Sequence, residues 1–276
     1  MAATYLDRIL AAHRASAADD RRDVAAMRAQ MSGLPQARGF AAALAGADGL
    51  AVISEVKRRS PSKGRLAPHL DPGELARAYA AGGAACLSVL TDAEFFGGSP
   101  DDLRAARDAV PLPVLRKDFT VGPLDVLDAR AMGADAVLLI VAALGDGELA
   151  ELHTLAREVG LDALVEVHDE AELERALDVG ATLIGVNQRD LVTFEVDTQR
   201  AVRVAAALPA HVVAVAESGI RSGRDAARLH DAGYRAVLVG ESLVTAADPA
   251  TAVAELRTAG RAAPEPAAER RVATDR

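Results

Sequence analysis

From residue 50 onward one unit recurs: a short apolar run, a polar loop, an amphipathic stretch and a connection containing glycine. The apolar runs fall at 50–56, 85–90, 113–118, 135–141, 162–167, 183–187, 212–217 and 235–240, and each has the length and β-branched texture of a buried strand. Helical spacing of apolar residues predicts helices over 72–81, 100–109, 123–132, 146–159, 169–179, 198–207, 222–232 and 249–259. Gly82, Gly133, Gly180 and Gly233 each follow a helix, where a left-handed cap favours glycine. Strands that are apolar throughout and alternate with helices imply a parallel sheet covered by helices. Eight such units fit a closed (β/α)8 TIM barrel over residues 49–260. An open doubly wound sheet is the alternative, but no Gly-x-Gly-x-x-Gly sequence follows the first strand, which removes its best-known dinucleotide site.

Residues 1–48 form an expected N-terminal helical extension. Leu6, Ile9, Leu10, His13, Val24, Met27 and Met31 predict a helix over 4–31, and 39–45 suits a second, shorter one. The leader either covers one end of the barrel or hangs as a loose arm; the residues leave both open. Residues 261–276, rich in Ala, Pro, Glu and Arg without an apolar period, read as a disordered tail.

Half of the residues are hydrophobic, enough for a sizeable core. The formal charge of −9 argues against a general nucleic-acid or anionic-membrane binder, so an anionic ligand must be held by a local pocket. The single cysteine, Cys86, cannot form an intramolecular disulfide and lies in an apolar run, as a buried thiol does. No apolar stretch is long enough to span a bilayer, and Asp7, Asp19, Asp20 and Asp23 among the N-terminal arginines do not suit a signal peptide. The expected location is the cytoplasm.

Charged residues break the apolar pattern at the strand ends. Glu55 and Lys57 sit two apart at the end of the first strand, so alternation points both to one face. Lys117 and Asp118 end the third strand, Glu166 the fifth, Asn187 the sixth, and Glu217 with Ser218 the seventh. In a parallel barrel these carboxyl ends share the face where catalytic groups gather. The structural alternative, a satisfied ion pair or cap on each of five strands, needs the same coincidence at every one. Ser218-Gly219-Ile220 and Gly240-Glu241-Ser242 follow the last two strands and offer backbone N–H groups to a phosphate, with Ser60 and Lys63 from the first loop. As plain turns they would only join strand to helix. Phe95, Phe96 and Phe119 either wall a planar substrate or anchor loops. The six histidines are scattered, no two have metal-ligand spacing on one element, and no metal site is expected. His168 is expected to point away from Glu166 if its strand continues.

Seven separated segments, in order, carry a resemblance to a known family. They are Glu55-Val-Lys-Arg-Arg-Ser-Pro-Ser-Lys-Gly64, Ser88-Val-Leu-Thr-Asp-Ala-Glu-Phe-Phe-Gly-Gly-Ser99, Leu115-Arg-Lys-Asp-Phe119, Leu164-Val-Glu-Val-His168, Gly185-Val-Asn-Gln-Arg-Asp-Leu191, Ala216-Glu-Ser-Gly-Ile220 and Leu238-Val-Gly-Glu-Ser242. Over residues 50–245 the chain resembles the indole-3-glycerol phosphate synthases of tryptophan biosynthesis. The resemblance implies ring closure of 1-(2-carboxyphenylamino)-1-deoxyribulose 5-phosphate, a phosphosugar–anthranilate conjugate, with loss of carbon dioxide and water. It implies no cofactor, because no redox step occurs, and no nucleic-acid or membrane partner; a monomer is expected. By resemblance Lys117 is the general acid, and Glu166, Glu55 and Lys57 serve the later dehydration, their division of labour left open. Asn187 and Glu217 match substrate-positioning residues, with Arg189 and Ser218 beside them. Ser60, Gly219, Gly240 and Glu241 match phosphate-binding positions, and Phe96, Phe119 and Leu138 line the aromatic part of the pocket. Gln188 departs from the Asn-Asn-Arg common in relatives, and the leader resembles the family less closely than the barrel does. The rival readings are another phosphosugar barrel enzyme, an aldolase using Lys117 as a Schiff-base nucleophile among them, and a noncatalytic barrel that binds a phosphometabolite.

Overall fold

The computed structural model describes residues 4–259 apart from positions 62 and 191, so the expected tail over 261–276 lies outside the described residues. The leader makes three helices, α1 (Tyr5–Asp19), α2 (Val24–Met31) and α3 (Phe40–Ala45). The single helix expected over 4–31 is broken after Asp19. The Asp23 carboxylate turns back to accept from the N–H groups of Ala25 and Ala26, and Asp20 pairs with Arg22. A cluster of short acidic side chains therefore caps a new helix instead of continuing the old one.

The barrel strands are β1 (Ala51–Val56), β4 (Cys86–Leu90), β5 (Val114–Lys117), β6 (Ala136–Ile140), β7 (Asp162–Val167), β8 (Leu183–Asn187), β9 (Val213–Glu217) and β10 (Ala236–Val239); a two-residue hairpin, β2 (Arg59–Ser60) with β3 (Gly64–Arg65), stands in the first loop. They close in the order β1-β10-β9-β8-β7-β6-β5-β4, every pairing parallel. The sheet is the expected (β/α)8 barrel. Around it lie α4 (Pro72–Ala81), α5 (Pro100–Ala109), α6 (Pro123–Ala131), α7 (Asp146–Glu158), α8 (Glu170–Asp178), α9 (Arg200–Ala205), α10 (Gly223–Asp231), the short α11 (Glu241–Val244) and α12 (Pro249–Thr258). Asp71, Ser99, Asp169, Ser222 and Asp248 cap their helices through side-chain oxygens, and proline opens α4, α5, α6 and α12, where its missing N–H costs nothing.

Gly133, Gly180 and Gly233 have the positive φ expected of left-handed caps, but Gly82 does not: its φ is −74° and Gly83 takes the left-handed turn at +86°. Gly82 is needed for space, because a Cβ there would strike the Ala250 carbonyl of α12.

Register sets the height of the polar residues. Asn187 of β8 lies opposite Glu217 of β9, so these two polar groups stand side by side at the carboxyl ends of their strands. The leader runs between the two ends of the barrel. His13 of α1 reaches Asp92 at the carboxyl-end loops, whereas the α3 region seals the amino end: Phe40 and Leu44 are fully buried, and the N–H groups of Arg38 and Ala41 donate to Asp135 and Asp162. Cys86 is buried beside this seal, and burial pushes its thiol pKa up, as a core thiol requires.

Candidate active site

The carboxyl ends of the strands and the loops beyond them enclose a cavity of about 490 Å³, a size suited to a small organic substrate. Every residue that the resemblance assigned to the site lines it: Glu55, Lys57, Ser60, Phe96, Lys117, Phe119, Leu138, Glu166, Asn187, Arg189, Glu217, Ser218, Gly219, Gly240 and Glu241. At the floor, the Lys117 ammonium donates to Glu166 at 2.7 Å and to Glu217 at 2.8 Å. Asn187 donates to the other oxygen of Glu166 at 3.1 Å, and Lys57 donates to Glu55. Two glycines make room for these carboxylates. A Cβ on Gly185 would overlap Glu217, and one on Gly240 would overlap Glu55.

Two buried carboxylates thus compete for one ammonium. Burial pushes Glu217 up to about 7, and the negative Glu166 beside it adds to the rise over the opposition of Lys117. Burial also disfavours the charge on Glu166, but Lys117, His168 and Asn187 outweigh it and hold that carboxyl well below the usual range. Burial opposes the Lys117 charge, yet Glu166, Glu217 and Glu55 together raise its pKa, so the lysine is an ammonium at neutral pH. Glu217 is therefore the member of the trio that changes charge near neutrality.

The aromatic wall is hung from two aspartates. Asp92 accepts from the N–H groups of Phe95 and Phe96 at 2.6 and 2.9 Å, and Asp118 from that of Phe119 at 2.8 Å. The two uses of aromatics left open by the sequence divide between residues. Phe95 is an anchor, with its ring edge-on to Tyr5 at 5.8 Å, while Phe96 and Phe119 face the cavity with ring centroids 6.2 Å apart. His13 reaches this wall from α1, 3.1 Å from Asp92 and 3.8 Å from Asp118. Sequence spacing could not reveal this trio, since its members are 79 and 26 residues apart in turn. Both carboxylates already accept backbone N–H groups, and Asp118 also pairs with Arg116 at 3.0 Å, so the trio is an ion-pair cluster.

At the opposite side Ser60, Gly219 and Gly240 converge. Ser218 and Gly219 are both left-handed, at φ +67° and +74°, and the Ser218 carbonyl is held by Gln188 Nε2 at 2.7 Å. Gln188 is thus buried support for a strained turn, a conformation that costs a residue with a Cβ about 1–2 kcal/mol. The short α11 opens directly after Gly240, and its first-turn N–H groups lie ahead of any intrahelical acceptor.

The family model described as indole-3-glycerol phosphate synthase matches residues 6–256. The chain belongs to the indole-3-glycerol phosphate synthase family. A curated family member from Mycolicibacterium vanbaalenii is 51% identical over 96% of this chain and 98% of its own length. One from Rhodococcus jostii is 52% identical over 93% and 96%, and one from Nocardioides is 59% identical over 75% and 80%. Among solved structures, thiamine phosphate pyrophosphorylase from Pyrococcus furiosus matches with a TM-score of 0.58 at 19% identity, covering 76% of this chain and 95% of its own, a likeness of fold alone.

Within this barrel the structure corrects one placement and adds another residue. His168 does not point away from Glu166: two residues further on, it falls on the same face, and its Nε2 lies 3.8 Å from Glu166. Phe194 also lines the cavity, with φ +61° and its ring 5.2 Å from Tyr5. The only signal for it was scarcity, because the chain has just 5 phenylalanines and this one interrupts a polar loop. Among the described residues no helix is long and apolar enough to cross a membrane.

Proposed function

We propose that this cavity closes the indole ring of 1-(2-carboxyphenylamino)-1-deoxyribulose 5-phosphate, releasing carbon dioxide and water, with Lys117 as the acid for the first step. The family to which the chain belongs is that of a carboxy-lyase of tryptophan biosynthesis. The observation that carries the reading is Lys117, an ammonium held between Glu166 and Glu217 on the floor of a cavity with an aromatic wall on one side and a glycine-lined turn on the other.

The chemistry asks for these groups in turn. The aryl carbon bearing the carboxylate attacks the sugar's keto carbon, and the oxygen that becomes negative takes a proton from Lys117. Loss of carbon dioxide restores the aromatic ring. The new hydroxyl then leaves as water, which needs a second proton, while a base removes a proton from the neighbouring methylene carbon. Lys57 and Glu55 form an acid–base pair on the same floor and suit this dehydration, with Glu166 close enough to Lys117 to reset it. Phe96, Phe119 and Leu138 would receive the aryl ring; Ser60, Gly219, Gly240 and Glu241 the phosphate; Asn187, Arg189 and Ser218 the sugar. In this reading residues 1–48 act as a cover anchored at both barrel ends, and 49–260 as the catalytic barrel.

The test is to mix the purified protein with the carboxyphenylamino-deoxyribulose phosphate and follow indole fluorescence, for which a chain without Trp gives a low background. A rise accompanied by release of one carbon dioxide per indole supports the reading. Binding without product would favour a noncatalytic barrel, and borohydride trapping of substrate on Lys117 would favour an aldolase.

A further inference from the structure

The proposed reaction, on which this inference rests, does not conserve protons within the site. The substrate enters with an ionised arenecarboxylate, and the products are neutral carbon dioxide, neutral water and an indole without that charge. Two protons are given, to the keto oxygen and to the departing hydroxyl, and one is recovered from the methylene carbon. One proton per turnover must therefore come from water through a group of the protein. Glu166 and Glu217 are buried, and Lys117 opens only to the cavity that the substrate fills, so with substrate bound a donor must stand behind them.

His168 stands there. Its Nδ1 and its backbone N–H both meet Glu172 Oε2, at 3.0 and 2.7 Å, which fixes the ring and keeps a proton on Nδ1. Nε2 is buried, has no hydrogen-bond partner among the described residues, and lies 3.8 Å from Glu166 Oε1. A shift of about 1 Å at Nε2 would make that contact a hydrogen bond. The other oxygen of Glu166 is already 2.7 Å from Lys117.

We propose that His168 is a positioning residue for Glu166 that supplies the missing proton: imidazolium Nε2 gives it to Glu166, and Glu166 gives it to the Lys117 amine left after the first step. The balance closes. The imidazolium becomes neutral, Glu166 passes through its acid form and returns to carboxylate, Lys117 is again an ammonium, and water recharges His168 when product leaves. The charged groups facing His168 favour this: burial opposes its charge, but Glu172 of α8 and Glu166 of β7 together raise its pKa over the opposition of Arg200 on α9.

The experiment is the dependence of kcat on pH, from 6 to 9, in the wild type, His168→Asn and Glu172→Gln. Glu217 titrates in the same range, and Glu172→Gln separates the two because Glu172 touches His168 and not Glu217. In the wild type kcat should fall as His168 loses its proton. His168→Asn should lower kcat about tenfold at pH 7 with KM within about twofold, and abolish that alkaline limb. Glu172→Gln should move the limb to lower pH. An unchanged kcat and limb in His168→Asn, or a limb unmoved in Glu172→Gln, overturns the relay. A wild type that forms no indole at any pH instead overturns the activity reading beneath it, a failure visible before any variant is made.

Discussion

At the amino end of the barrel Asp135 is fully buried, and its carboxylate accepts from the N–H groups of Arg38 and Val114 at 2.7 and 2.8 Å and from the guanidinium of Arg107. At the carboxyl end Glu217 is as deeply buried, but it shares Lys117 with Glu166, and its second oxygen has no partner among the described residues. Both are aspartate-like charges taken out of water. One is matched by donors of its own and joins the leader to two strands. The other competes for a cation and sits near the midpoint of its titration. A buried charge that is completely paired holds structure, whereas one left half-paired is ready to move a proton at the cost of stability.

That contrast can be broken by substitution. The largest effect is expected for Lys117→Ala, which should lower kcat about a hundredfold or more, about 3 kcal/mol in the barrier, while phosphate-dependent binding persists. Asp135→Ala should do the reverse, costing about 3 kcal/mol in urea unfolding because a guanidinium and two N–H groups lose their acceptor, with kcat per folded molecule unchanged. Glu217→Gln should lose activity and gain stability, and the gain should depend on pH. Because the folded pKa of Glu217 is raised from 4.5 to about 7, its contribution to stability is present below about 4.5 and is lost as pH rises through about 7, so the variant's advantage should be larger at pH 8 than at pH 5. A pH-independent difference would mean that Glu217 does not change charge near neutrality.

The smallest effect is expected at His13. Burial opposes its charge, but Asp92, Asp118 and Asp125 outweigh it and raise its pKa above 6.5. Its hold on α1 is then complete below about 6.5 and weakens as pH rises through the folded value. Amide exchange over Tyr5–Asp19 should be faster at pH 8 than at pH 6 after correction for intrinsic rates, and His13→Ala should erase that difference at a stability cost of about 1 kcal/mol.

The barrel was legible because the strands announce themselves by short apolar runs and the helices by apolar residues at helical spacing. The floor of the cavity was legible for a related reason: Glu55, Lys117, Glu166, Asn187 and Glu217 are polar where a buried strand should be apolar, and parallel topology sends all of them to one rim. Contacts between distant loops left no such mark. His13 meets Asp92 and Asp118 only because the leader folds back over the mouth, and nothing in local spacing encodes that. His168 was misplaced because it was read on the face opposite Glu166, whereas residues two apart in an extended chain share a face, as Glu55 and Lys57 do. Gly82 was read for its φ when its role is to let α12 come close.

The central claim is that Lys117, wedged between two carboxylates, is the acid that opens the reaction. Its most direct test is the turnover of folded Lys117→Ala on the carboxyphenylamino-deoxyribulose phosphate, read as indole fluorescence per folded molecule. The account predicts a loss of about a hundredfold or more with the substrate still bound. Turnover at the wild-type rate would contradict it and move the first proton to another group.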